Sequence, residues 1–136
     1  MVFYLIKKDI GTLLTIAPIS ALIALIINEI GMYRNWWYFA PIHMLSISTI
    51  PFDVGLYPIS GSYMIHCIKH YRKNAFRMIT IFALLLTCLE CIFIFFNRVT
   101  YGNGWNIGWT FVSYEVSFAL VYGYFRILSQ INPSAR

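Results

Sequence analysis

Apolar residues run along this chain in four long blocks parted by short polar breaks, at about residues 10–30, 51–68, 78–96 and 107–128. Each block is close to the roughly 20 residues with which an α-helix crosses about 30 Å of hydrocarbon. The pattern predicts an all-α protein, a four-helix transmembrane bundle forming a single domain over residues 1–136. The break at 31–46 is long for a tight hairpin. It leaves room for a short interfacial helix or a re-entrant piece between spans 1 and 2.

Span 1 carries Ala17, Ala21, Ala24 and Asn28 at helical spacing, a small-residue stripe that lets helix backbones approach closely in lipid. Pro18 is a candidate kink. Span 2 is the least regular, with Pro51, Asp53, Gly55, Pro58 and Gly61. Proline removes a backbone donor, and in lipid the freed carbonyls must find partners inside the protein. Span 2 is therefore expected to face neighbours on most sides. On span 3, Thr80, Ala83, Thr87, Glu90, Ile94 and Asn97 recur at three- and four-residue steps and share one face. Gly108, Glu115, Ala119, Tyr122 and Arg126 form a comparable seam on span 4, as do Gly55, Ser62 and His66 on span 2.

Composition agrees with lipid as the solvent: 60% of residues are hydrophobic and 11% charged, against about 25% charged in soluble domains. The net charge of +5 does not indicate nucleic acid, because the basic residues sit between apolar runs. Lys7, Lys8, Lys69, Arg72, Lys73, Arg77, Arg126 and Arg136 fall on one side, and only Arg34 and Arg98 on the other. The basic side, with both termini, is predicted to be cytoplasmic and the protein to lie in the cell membrane. Trp36, Trp37, Trp105 and Trp109 then mark the outer face as an aromatic belt. Lys7 and Lys8 before an apolar run imitate a signal peptide, but the run is longer than the usual apolar region of about 7–15 residues and no clean cleavage site follows, so it is read as a retained span. The loop bearing Lys69, Arg72, Lys73 and Arg77 either fixes topology or also holds anionic lipid headgroups, at about 1 kcal/mol per basic residue.

Asp9 lies near the inner surface. The other acids fall one per span, as Glu29, Asp53, Glu90 and Glu115, all toward the outer side. A charge at mid-membrane costs about 2.5–3.5 kcal/mol on insertion scales, so these groups should face the bundle, pair or be protonated. With Arg34 and Arg98 on the same side, the six residues are expected to line a polar, outward-facing pocket or ion pathway. The competing reading is structural: interhelical hydrogen bonds of about 0.6 kcal/mol each that hold the helices together.

Little else specifies chemistry. Cys67, Cys88 and Cys91 fall inside apolar runs and read as inert thiols. Cys88 and Cys91 share a face, but Glu90 points away from it, so no metal site is assigned there. His43, His66 and His70 lack zinc-hydrolase spacing, and there is no phosphate-binding glycine loop or nucleophile elbow. No catalytic residue, cofactor or metal is expected. A faint repeat is visible: Asn28-Glu29 precedes Arg34-Asn35-Trp36, and Leu89-Glu90 precedes Asn97-Arg98 and then Trp105.

From about Asn28 to Leu128, an outer acid and Trp-Tyr after span 1 are followed in order by the stretch Pro51-Phe52-Asp53-Val54-Gly55-Leu56-Tyr57-Pro58, a basic inner loop, Glu90 within span 3, and an aromatic turn with Trp105. The arrangement resembles an uncharacterised family of short multi-span membrane proteins of spore-forming Gram-positive bacteria. That resemblance implies a multi-span fold and no particular activity. Asn28-Glu29 to Trp37-Tyr38 is also similar in style to small membrane-bound carotenoid cyclase domains, but their paired glutamates after a proline are missing, which removes the residues expected to drive cyclisation. The expected function is that of a non-enzymatic membrane component that binds partner helices or itself as a homo-oligomer. The alternatives are a small proton or cation channel or transporter, and an enzyme or binder acting on a lipid-soluble ligand.

Overall fold

The computed structural model describes residues 2–41 and 47–131. The protein is mostly helical. Helix α1 (Val2–Lys8), not anticipated from the sequence, is parted from α2 (Ile10–Tyr33) by Asp9. The Asp9 carboxylate caps α2, accepting from the Thr12 backbone N–H at 3.2 Å and the Thr12 hydroxyl at 2.7 Å, and so satisfies a donor that every helix start leaves bare. α2 runs through Pro18 and ends where Asn35 takes a left-handed conformation, φ 58°.

Strand β1 (Trp37–Phe39) follows. The chain then enters α3 (Tyr57–Tyr71) through a π-helical turn, Pro51–Leu56, closed by a hydrogen bond from Tyr57 N–H to the Phe52 carbonyl. Pro58 has no N–H to offer the carbonyl four residues back, and the turn ahead of it widens. Residues 72–74 join α3 to α4 (Ala75–Phe95), with Arg72 left-handed and the Asn74 side chain capping α4. After strand β2 (Val99–Tyr101) and a turn at Asn103-Gly104, the Asn106 side chain caps α5 (Ile107–Ile131) by accepting from Gly108 and Trp109 N–H.

The two strands pair antiparallel, Trp37 with Tyr101, Tyr38 with Thr100 and Phe39 with Val99. They tie the ends of α2 and α4 together. Both helices end alike: Arg34, Asn35 and Trp36 N–H bond the carbonyls of Ile30, Met32 and Gly31, and Phe96, Asn97 and Arg98 N–H bond those of Ile92, Ile94 and Phe93. One constant offset relates all these positions and the two strands as well. The repeat faintly visible in the sequence thus has a structural counterpart, with Asn28 rather than Glu29 standing opposite Glu90.

α3 is central, packed on α2, α4 and α5, with Pro58, Ser60, Gly61, Ser62, Met64, Ile65, His66 and Cys67 all buried. This agrees with the expectation that the irregular span meets neighbours on most sides. At the α2–α3 crossing, a Cβ on Gly61 would stand 2.5 Å from the Ser20 hydroxyl, so any larger residue would have to turn that hydroxyl aside. The core around α3 comprises Ile16, Met64, Ile65, Ile79, Phe82, Ala83, Leu86, Phe118 and Val121.

Two helices, α2 and α4, are long and apolar enough to cross a membrane. Their outward faces expose Leu14, Leu22, Ile26, Leu84, Leu85 and Ile92. Four expectations are corrected. The described part of 31–46 holds a strand rather than an interfacial helix, because three-residue aromatic strands leave no periodic signal. The basic loop shrinks to three residues, since Lys69 and Arg77 belong to helices. The span 4 seam is misplaced: Gly108, Ala119 and Arg126 are exposed, while the buried positions of α5 are Thr110, Phe118, Val121 and Ser129. The polar tail from Ser129 to Arg136 is expected to fray, but α5 continues to Ile131 with Ser129 buried; residues 132–136, and His43, lie outside the described residues.

Candidate functional site

Glu90 sits in the last turns of α4, only 9% exposed, where β2 and α5 close over it. Tyr101 of β2 donates to its Oε1 at 2.6 Å, Thr110 of α5 reaches the same oxygen at 3.4 Å, and Tyr114, one helical turn after Thr110, donates a short hydrogen bond to Oε2. The network extends outward: the Tyr57 hydroxyl lies 3.0 Å from that of Tyr114, Thr110 Oγ1 lies 2.6 Å from the Tyr101 hydroxyl, and Trp105 Nε1 donates to Thr110 at 2.9 Å. A buried carboxyl group with several hydroxyl partners is held in one orientation.

Burial, and then the Glu90 carboxylate beside it, push the Tyr101 phenol well above the ordinary tyrosine value. A phenol raised in the folded state contributes stability that is complete below the unfolded-state value, about 10, and is lost as pH rises beyond it. In a spectrophotometric titration of wild type against Tyr101→Phe, position 101 is expected to yield no phenolate at pH 11 while the fold persists. A phenolate signal from it in folded protein at pH 10 would contradict this.

The equivalent position on α2, Asn28, forms a second polar node. Its amide donates to Asp53 Oδ1, and Trp37 Nε1 donates to its carbonyl at 3.1 Å. The π-helical turn carries Asp53 inward to complete burial, where Thr49 also hydrogen-bonds its carboxyl group. Among the described residues the second oxygen, Oδ2, has no hydrogen-bond partner.

Asn28 and Glu90 both line one cleft between α2 and α5, a cavity of about 50 Å³ open on one side. Its walls are mostly apolar, with Ile23 and Ile27 on α2, Leu86 on α4, and Phe118 and Val121 on α5; Ser20, Ser113 and Ser117 add hydroxyls. At about 10–15 Å³ per water, the enclosed part holds a few water-sized atoms. Beyond Glu90, all four tryptophans form one cluster: Trp105 stacks on Trp36 at 4.8 Å and meets Trp37 edge-on at 4.8 Å and Trp109 at 6.3 Å.

Of the six residues expected to share a pocket, the structure brings Glu90 to the cleft and Asp53 within one hydrogen bond of it through Asn28. Glu29, Arg34 and Arg98 are exposed. Glu115 is half-buried beside the exposed Val112, Val116 and Ala119, and makes no hydrogen bond or ion pair among the described residues. These four do not join the pocket, because the buried face of α5 is the one through Thr110 and Phe118 and because both arginines follow the helix ends. Lys69 is half-buried, and Arg72, Lys73 and Arg77 are exposed at the opposite end of the molecule.

At that end sits a cluster absent from the sequence reading. His66 Nδ1 lies 3.0 Å and His70 Nδ1 3.4 Å from Oδ2 of Asp9. Burial works to raise the Asp9 carboxyl, but the hydrogen bonds from His66 and Thr12 and the Lys69 charge outweigh it and hold the group below the ordinary carboxylate value. The helical spacing of His66 and His70 was legible. Their meeting with Asp9, across the α1–α2 corner, was not.

No family model, curated protein or solved structure matches the chain.

Proposed function

We propose that the chain is a four-span protein of the cell membrane with both termini cytoplasmic. We further propose that the α2–α5 cleft holds the hydrogen-bonding head of a small lipid-soluble molecule, with no chemistry performed on it. The resemblance to the short multi-span proteins of spore formers belongs to the same reading. A central α3 and an α5 that turns hydroxyls inward need less apolar surface than α2 and α4, which supports four crossings. The observation that carries the ligand reading is Glu90: a buried acid, fixed by tyrosine and threonine hydroxyls, on the wall of a cleft that is open on one side. The enclosed space suits a polar head of a few atoms, and the open side leaves an apolar body in the lipid. A proton or cation pathway is the competing reading: toward the basic end the core holds Ile16, Met64, Ile65, Phe82, Phe118 and Val121, with the buried hydroxyls of Ser20 and Ser62 among them.

The test is extraction of the protein purified from its native membrane, followed by mass spectrometry. One apolar species is expected near one copy per chain, at least tenfold depleted in Glu90→Gln. Equal amounts in both proteins would defeat the reading. Flux of protons into vesicles that Glu90→Gln abolishes would replace it with the carboxylate-pathway alternative.

One observation favours self-association as a second reading: Glu115, mid-helix on α5, has no hydrogen-bond or ion-pair partner among the described residues. Crosslinking in native membranes is expected to trap a dimer or a defined neighbour in wild type and to trap less in Glu115→Leu. A monomer at every crosslinker dose would exclude it.

A further inference from the structure

We propose that Asp9, His66 and His70 form a binding site for a divalent transition-metal ion of the zinc class, at the end of the molecule remote from Glu90. One ligand atom from each of the three lies within 4.8 Å of the others. The His66 and His70 Nδ1 atoms stand 3.0 and 3.4 Å from the same carboxylate oxygen. In a tetrahedral site with bonds of about 2.0–2.1 Å, neighbouring ligand atoms stand about 1.6 bond lengths, or roughly 3.3 Å, apart. The two nitrogen–oxygen separations bracket that edge, and with all three ligand atoms within 4.8 Å a modest closing of the cluster would bring them around one ion.

The support for the ligands is built in. His66 and His70 follow one another by a single turn of α3, with rings stacked at 4.2 Å, so both nitrogens point the same way. Thr12 holds the carboxylate through both oxygens, its N–H donating to Oδ1 at 3.2 Å and its hydroxyl to Oδ2 at 2.7 Å, the kind of outer hydrogen bond that orients a metal ligand. His66 is buried, whereas the His70 side chain is 42% exposed, which leaves a route of entry and room for water in the remaining position. Two imidazoles and one carboxylate suit zinc, cobalt or nickel. They do not suit calcium or magnesium, which take mostly oxygen ligands. Lys69 beside Asp9 opposes a cation, so binding is expected to be weaker than at a zinc-finger site. An ion there would clamp the α1–α2 corner to the end of α3.

The full chain, purified without a histidine tag and stripped with chelator in detergent, is titrated with Zn²⁺ and with Co²⁺. One ion per chain is expected, with the visible absorption of four-coordinate Co²⁺ and no competition from Mg²⁺. His70→Gln, at an exposed position, should keep its helical circular dichroism and bind Zn²⁺ at least tenfold more weakly. The Cys88→Ser/Cys91→Ser double variant should bind as wild type does. No saturable Zn²⁺ binding, or binding that His70→Gln and Asp9→Asn both leave unchanged, would overturn the proposal.

Discussion

Glu90→Ala is expected to lower the unfolding free energy in detergent by about 3–4 kcal/mol, the largest loss anticipated for any single side chain here. The substitution removes the acceptor of the Tyr101 and Tyr114 hydroxyls and a contact of Thr110. Each buried hydroxyl left without a partner costs about 1–3 kcal/mol. The full sum is not reached, because Tyr114 can turn to Tyr57, 3.0 Å away, and Tyr101 to Thr110, 2.6 Å away. Glu90→Gln keeps one carbonyl acceptor and sets an NH2 group against a hydroxyl, so a loss of about 1 kcal/mol is expected. Thermal unfolding followed by tryptophan fluorescence would measure both, since Trp105 reports on the network through Thr110. If Glu90→Ala melts within 1 kcal/mol of wild type, the hydroxyls do not depend on the acid, and the cleft loses its organising group.

Part of this site could be read from the chain alone. On α4 the face through Thr80, Ala83, Thr87 and Glu90 was legible because polar and small residues interrupt an otherwise apolar helix at its own period. Ala83, Thr87 and Glu90 are buried and Thr80 half-buried, while Asn97 at the outer end of the same seam is exposed. On α5 the same method chose the wrong side. The seam through Gly108, Glu115, Ala119, Tyr122 and Arg126 omits Thr110 and Tyr114, yet their hydroxyls are what the buried acid needs. Charge is a loud signal in a sequence and a phenol a quiet one, although in a low-dielectric interior the phenol is the cheaper partner for a carboxyl group. The β1–β2 ribbon had no signal, since three residues cannot display alternation. Asp9 looked like one more charge near the inner surface, because a helix cap that also meets two histidines on another helix is a property of the packing.

The opposite ends of the same chemistry are separated by one methyl group. Gly31→Ala is expected to destabilise the protein by about 2–4 kcal/mol, whereas Gly123→Ala is expected to be neutral or to stabilise it by up to about 1 kcal/mol. Both glycines are helical, so both gain backbone propensity on substitution. At Gly123 nothing lies within 4 Å of the added Cβ. At Gly31 that Cβ would stand 2.0 Å from Trp37 Cζ2 and 2.2 Å from its Cη2, inside any permitted contact. The indole cannot slide freely, since it is 6% exposed, is met edge-on by Trp105 at 4.8 Å and donates to Asn28 at 3.1 Å. Relieving the clash takes a displacement of more than about 1 Å, which overpacking data place at roughly 1–3 kcal/mol. The same displacement strips Asn28 of a buried hydrogen bond at about 1–3 kcal/mol, less the propensity gain. The disturbance should pass through Trp105 to Thr110, so the tryptophan emission of Gly31→Ala is expected to shift to the red. Matching melting curves for the two alanine variants would mean that the Trp37 ring is loosely held, and with it the outer wall of the cleft.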